Sequence, residues 1–183
     1  MDINKLTQEN KKFIRTIFNE MRKKTNSFSI VRDFNMSNAQ IFTFLSIAPA
    51  AFAAASDNVL DNNEIAKIEK LSRMIDVNST VNLELMEMMS IATEPENIMS
   101  NEEFNIRAGA ELLYLARNLT KFENDFISAL KTLLIFDQSP KKPGSLTSSF
   151  IHLMDSMINN NLSKNKGTEM IKLNEFKTRI GLN

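Results

Sequence analysis

Three observations predict an all-α chain. Apolar residues recur three and four apart in almost every segment, no run alternates apolar with polar between turn residues, and only four Gly and four Pro interrupt 183 residues. Side chains that share one helix face repeat every 3.6 residues, whereas those of a half-buried strand repeat every two. With 43% apolar residues the chain can fill a core, and its length suits one domain with extensions. The expected architecture is a compact bundle of about eight helices in antiparallel hairpins.

The first stripe is Leu6, Phe13, Ile14, Ile17, Phe18 and Met21; RKKTN ends it, and SFSIVRDF is expected as a short helix of its own. Ser37 or Asn38 then starts an apolar segment to Ala55, which Pro49 must kink or divide because proline lacks the N–H and clashes with the preceding turn. Three helix starts carry capping chemistry, an oxygen on the cap residue and a Glu three residues on: Asp61 with Glu64, Ser100 with Glu103, and Thr120 with Glu123. Each precedes an apolar stripe. A further helix is expected from Thr80 to about Ala92, and Pro95 marks a break. SPKKPGS, residues 139–145, is the strongest loop signal; beyond it lie TSSFIHLMDSMI and TEMIKLNEFKTRI, with Gly181 as a stop.

Charge divides the chain into three parts. Residues 1–36 hold 8 Lys/Arg against 4 Asp/Glu, residues 37–137 hold 7 against 15, and residues 138–183 hold 7 against 3. The expected organisation follows: a basic N-terminal helical extension (1–36), an acidic helical domain (37–137) and a basic C-terminal helical pair (138–183) packed on it. Such ends either lie against the acidic centre or attract an anionic partner, nucleic acid or an acidic membrane surface. RKK (22–24) and KK (141–142) lack interleaved aromatic residues, which gives nucleic-acid binding little support.

Several chemistries are excluded. No Cys is present and His152 is the only histidine, so thiol chemistry, zinc ribbons and most nucleophile–base pairs cannot be assembled, and no enzyme is expected. His152 is read as a surface residue. The Met-rich stretch LMEMM (85–89) is read as a core stripe, its alternative being a surface that repacks around varied partners. The longest apolar run, IFTFLSIAPAAFAAA, has 15 residues, fewer than the ~17–25 a membrane span needs. MDINKLTQENKKF lacks the apolar core of a secretory signal, so the expectation is a cytoplasmic protein.

The candidate site is the carboxylate turn SDNVLDNNE. Asp61 and Glu64 are explained as a cap and its reciprocal partner. Asp57 falls near the end of the preceding helix, where the dipole disfavours negative charge and a cation would reverse the sign. The turn is therefore either structural or a weak oxygen-only site for calcium, magnesium or manganese, with Asp57, Asp61 and Glu64 as ligands. It is not an EF-hand: counting from Asp57, Val59 stands third, Asn62 replaces the required Gly and Ile68 stands twelfth.

An alanine-rich helix, then Asp57, Asn58, Leu60 and Asp61, then Glu64, resembles the TerB-like tellurite-resistance domain across about Phe44 to Asp137. The resemblance implies a helical domain of antiparallel hairpins, acidic residues near helix ends associated with divalent metal, and a non-catalytic role in stress-response assemblies, often near membranes, with a protein partner. Two residues depart from the pattern. Asn58 stands where a glycine is usual, and Asn is the next-best residue for a left-handed position. A faint internal repeat lays Glu64, Ile68, Leu71, Met74 and Ile75 over Glu123, Ile127, Leu130, Leu133 and Leu134, but its second copy reads Arg117, Asn118, Leu119, Thr120 and has lost the acidic pair. A symmetric two-metal arrangement is therefore not expected.

Overall fold

A computed structural model describes residues 7–55, 60–73, 76–81, 83–137 and 166–181. Among them are seven helices of seven residues or more and one single turn, and no strand: α1 (Gln8–Arg32), α2 (Asn38–Ala54), α3 (Asn62–Ser72), the turn α4 (Val77–Thr80), α5 (Leu83–Met89), α6 (Asn101–Arg117), α7 (Leu119–Asp137) and α8 (Lys166–Ile180). The all-helical class is as expected. His152, SPKKPGS and TSSFIHLMDSMI lie outside the described residues.

The bundle is organised around α2, which packs against α1, α3, α6, α7 and α8. Its sequence explains that position: it is apolar on nearly every side, so no face suits water. Pro49 is buried within it and does not divide it. The lost backbone bond is outweighed by burial of Phe42, Phe44, Leu45, Ala48, Ala51 and Phe52 around it. The helix opens on a reciprocal cap: the Ser37 amide donates to Gln40 Oε1 (2.9 Å) and the Gln40 amide to Ser37 Oγ (3.1 Å).

RKKTN does not end the first helix. α1 continues to Arg32 because Ile14, Phe18, Met21, Thr25 and Phe28 keep one buried face through it, and the charged residues Lys23 and Lys24 lie off that face. The buried Thr25 hydroxyl donates back to Met21 O (3.1 Å) and so hides no unpaired group. α1 lies along α7, and Phe28 sits among Phe44, Phe122, Phe126, Tyr114 and Phe34 with ring centroids 5.2–6.4 Å away. Described residues on both sides of position 36, from Ile14 to Leu134, thus share one core.

α1 stops at Asp33, which takes the left-handed conformation (φ 46°). The Phe34 amide donates to Ser29 O (2.9 Å) and the Asp33 amide to Ile30 O (3.3 Å), the paired bonds of a Schellman end. Arg107 of α6 donates to the freed Arg32 and Asp33 carbonyls (3.0 and 3.1 Å).

The helix expected over Thr80–Ala92 is two pieces. Asp76 caps α4 by accepting from the Asn78 amide (3.1 Å), extended Val81 closes it, and α5 restarts at Leu83. Met88 and Met89 are buried and Met86 half-buried, which places this part of the Met-rich stretch in the core. At the other end of the molecule Phe176 of α8 packs on Phe52 of α2 at 4.8 Å, and Ile180 is buried beside the same core.

Candidate functional site

Asp61 and Glu64 do what their spacing predicts. Asp61 is the extended cap of α3, its Oδ1 accepting from the Glu64 amide (2.8 Å) while Glu64 Oε2 accepts from the Asp61 amide (2.9 Å). The cap itself uses Asp61 Oδ1 and Glu64 Oε2; carboxylates accept several bonds, so capping alone does not bar a cation. Asp57 lies outside the described residues. Among the described residues no three acidic or histidine side chains converge.

The cap borders a half-open cleft of about 240 Å³, lined by Ala55, Leu60, Ala116, Arg117, Leu119 and Thr120. Two turns build it. Ala55 and Leu60 flank the connection between α2 and α3, and the other four belong to the α6–α7 corner, which the faint repeat lays over that connection. Its lining is mixed, with Ala55, Leu60, Ala116 and Leu119 beside the polar groups of Arg117 and Thr120 and exposed main chain. Arg117 is exposed, and no described residue pairs with it. Spacing alone did not single out this cleft, because its residues are ordinary helix-end types that only the packing of α3 on α6 brings together.

The α6–α7 corner corrects one expected cap. α7 begins at Leu119, so Thr120 lies inside its first turn and not at its start. A single residue, Asn118, separates the helices: its amide donates to Tyr114 O (3.1 Å), its side chain to the same carbonyl (2.9 Å), and its own carbonyl accepts from the Lys121 amide (3.0 Å). Glu123 is therefore free to pair with Arg179 of α8. Ser100 caps α6 as expected, accepting from the Glu103 amide (3.1 Å).

Acids of the centre are met by cations from both ends. Buried Glu111 receives Arg32 on both oxygens (2.6 and 3.2 Å), with Arg107 at 3.5 Å from one of them, and Arg32 stacks on the Tyr114 ring at 4.0 Å. The hydrogen bond to Glu111 holds the Arg32 guanidinium above its ordinary value, with burial acting against it. Both Glu111 oxygens are occupied by fixed cations, so this acid is placed to join α1 to α6 and not to move a proton. With Arg179 on Glu123, the charge asymmetry of the sequence is partly consumed inside the fold. Among the described residues no helix is long and apolar enough to cross a membrane.

No family model, no curated protein and no solved structure matches the chain.

Proposed function

We propose that this chain is a non-enzymatic helical interaction module of the TerB-like tellurite-resistance type, acting in a cytoplasmic stress-response assembly through the corner where its two turns meet. The observation that carries the reading is the Asp61–Glu64 cap at the edge of a cleft shared by the α2–α3 connection and the α6–α7 corner. At about 240 Å³ the cleft is smaller than the ~300–1,000 Å³ of ordinary small-molecule pockets and suits a single anchoring side chain of a protein partner. A weakly held calcium, magnesium or manganese ion at the acidic turn belongs to the same reading. The basic ends are the weaker alternative as a docking surface for nucleic acid or acidic lipid, since Arg32 and Arg179 are turned onto acids of the centre.

Two measurements test this. Titration with each divalent ion, followed by amide shifts, moves residues 60–64 at millimolar concentration; no movement removes the cation from the proposal. Exchanging Arg117→Glu and Thr120→Trp, both exposed positions, leaves the fold intact and changes the set of proteins cross-linked to the chain in its native extract. An identical set with both variants overturns the cleft as the partner site.

A further inference from the structure

Residues 90–100 cross the N-terminal end of α2 as a strap between α5 and α6, with residues 93–98 exposed. Six side-chain-mediated hydrogen bonds hold the strap and its two edges, and all six run in one direction. Arg15 Nε of α1 donates to Ile91 O (3.0 Å). From the start of α2, the Asn38 amide donates to Glu94 Oε1 (2.7 Å), and Asn38 Nδ2 donates to Met89 O and Ala92 O (both 3.3 Å). Gln40 Nε2 donates to Met99 O (3.0 Å) and Asn101 Oδ1 (2.9 Å). Arg22 fixes this floor from beneath, donating to Asn38 Oδ1 (2.6 Å) and Met36 O (2.8 Å).

The floor therefore presents donors and the strap presents acceptors: main-chain carbonyls and one carboxylate. A single backbone bond runs the other way, from the Met99 amide to Asn35 O (3.0 Å). Asn38 and Gln40 are each 1% exposed, so their donors are costly to leave unmet. Beneath the floor, Arg22 Nε is buried with no hydrogen-bond partner among the described residues. Burial pushes the Arg22 guanidinium below its ordinary value, and the nearby Glu94 carboxylate works against that. Apolar anchoring of the strap is slight, with Ala92 buried and Ile91 and Met99 only partly so. A segment held mainly by polar bonds at the surface opens at lower cost than the core beneath it.

We propose that residues 90–100 are the intramolecular occupant of a peptide-binding surface formed by Arg15, Asn38 and Gln40, with Arg22 supporting it from beneath, and that an acidic peptide takes the same place when the strap opens. The chemistry of the occupant follows from the floor. It offers main-chain carbonyls to Arg15, Asn38 and Gln40 and a carboxylate to the first amide of α2. This surface lies apart from the cleft, and the inference stands whether or not the cleft binds a partner.

Amide hydrogen exchange on the full chain tests it. Glu94→Ala raises exchange about tenfold at both Asn38 and Met99, the expected loss of one charge-assisted bond from a unit that opens as a whole, and Glu94→Gln raises it less. Phe126 and Leu130 in α7 stay unchanged. A synthetic peptide of residues 90–100, added to the Glu94→Ala protein, restores protection at Asn38 and shifts the Nε signal of Arg15; the same peptide carrying Glu94→Gln does so less well. Faster exchange at Asn38 alone, an equal rise throughout α7, or a peptide without effect at millimolar concentration each overturns the proposal.

Discussion

One helix, α1, serves two regions that are held by opposite means. Near its C-terminal end Phe28 enters a nest of five aromatic rings; further back, Arg15 bonds the 90–100 strap and Arg22 holds Asn38, which bonds the strap in turn. The aromatic nest is stabilised in proportion to the area it removes from water, with only loose demands on angle. The strap is stabilised by donors that need acceptors at defined positions, and each bond contributes little until its partner is taken away. Loss of a ring is therefore felt by the whole fold, and loss of a strap contact is felt locally.

Substitutions at graded positions sharpen that contrast. Phe28→Ala removes the shared ring and leaves a cavity, so denaturant unfolding shows a loss of roughly 3–5 kcal/mol with the transition still cooperative; a loss below about 1 kcal/mol would mean the nest is not the centre of the core. Asn38→Ala takes the side-chain donor from Met89 O and Ala92 O and strands an Arg22 donor, with an expected cost of about 2–3 kcal/mol. Its signature is early exchange of the strap before the bundle, and simultaneous exchange of both would erase the distinction between the regions. Asp61→Ala removes the α3 cap and costs about 1 kcal/mol, seen as fraying of the first α3 amides. Arg179→Ala breaks a half-exposed pair with Glu123 and changes stability by no more than about 0.5 kcal/mol, an effect that added salt diminishes in the parent protein.

The same contrast governs what could be read from residue order. Elements that depend on local rules were legible: the Asp61–Glu64 and Ser100 caps, the apolar identity of α2 and the stripe of α7 all appear where side-chain type and spacing place them. Charged residues misled where they only coat a helix: RKKTN reads as a break, yet Thr25 and Phe28 carry the buried face of α1 straight past it. Thr120 and Glu123 have capping spacing, but Asn118 already closes α6 and α7 starts two residues before the point a Thr120 cap would set. The strap floor left no sequence signal, because its acceptors are mostly main-chain carbonyls that any residue supplies. The cleft was equally hidden, since Ala55 and Ala116 become neighbours only through tertiary packing.

The one-residue link at Asn118 makes the chain intolerant at a place where surface connections usually forgive. Inserting or deleting a single residue there rotates everything after it by about 100° around the axis of α7. Phe122 and Phe126 would swing away from Phe28 while solvent-facing residues turned inward. Length at that corner is thus as stringent a specification as any side chain in the nest, and natural or engineered variation in chain length belongs elsewhere.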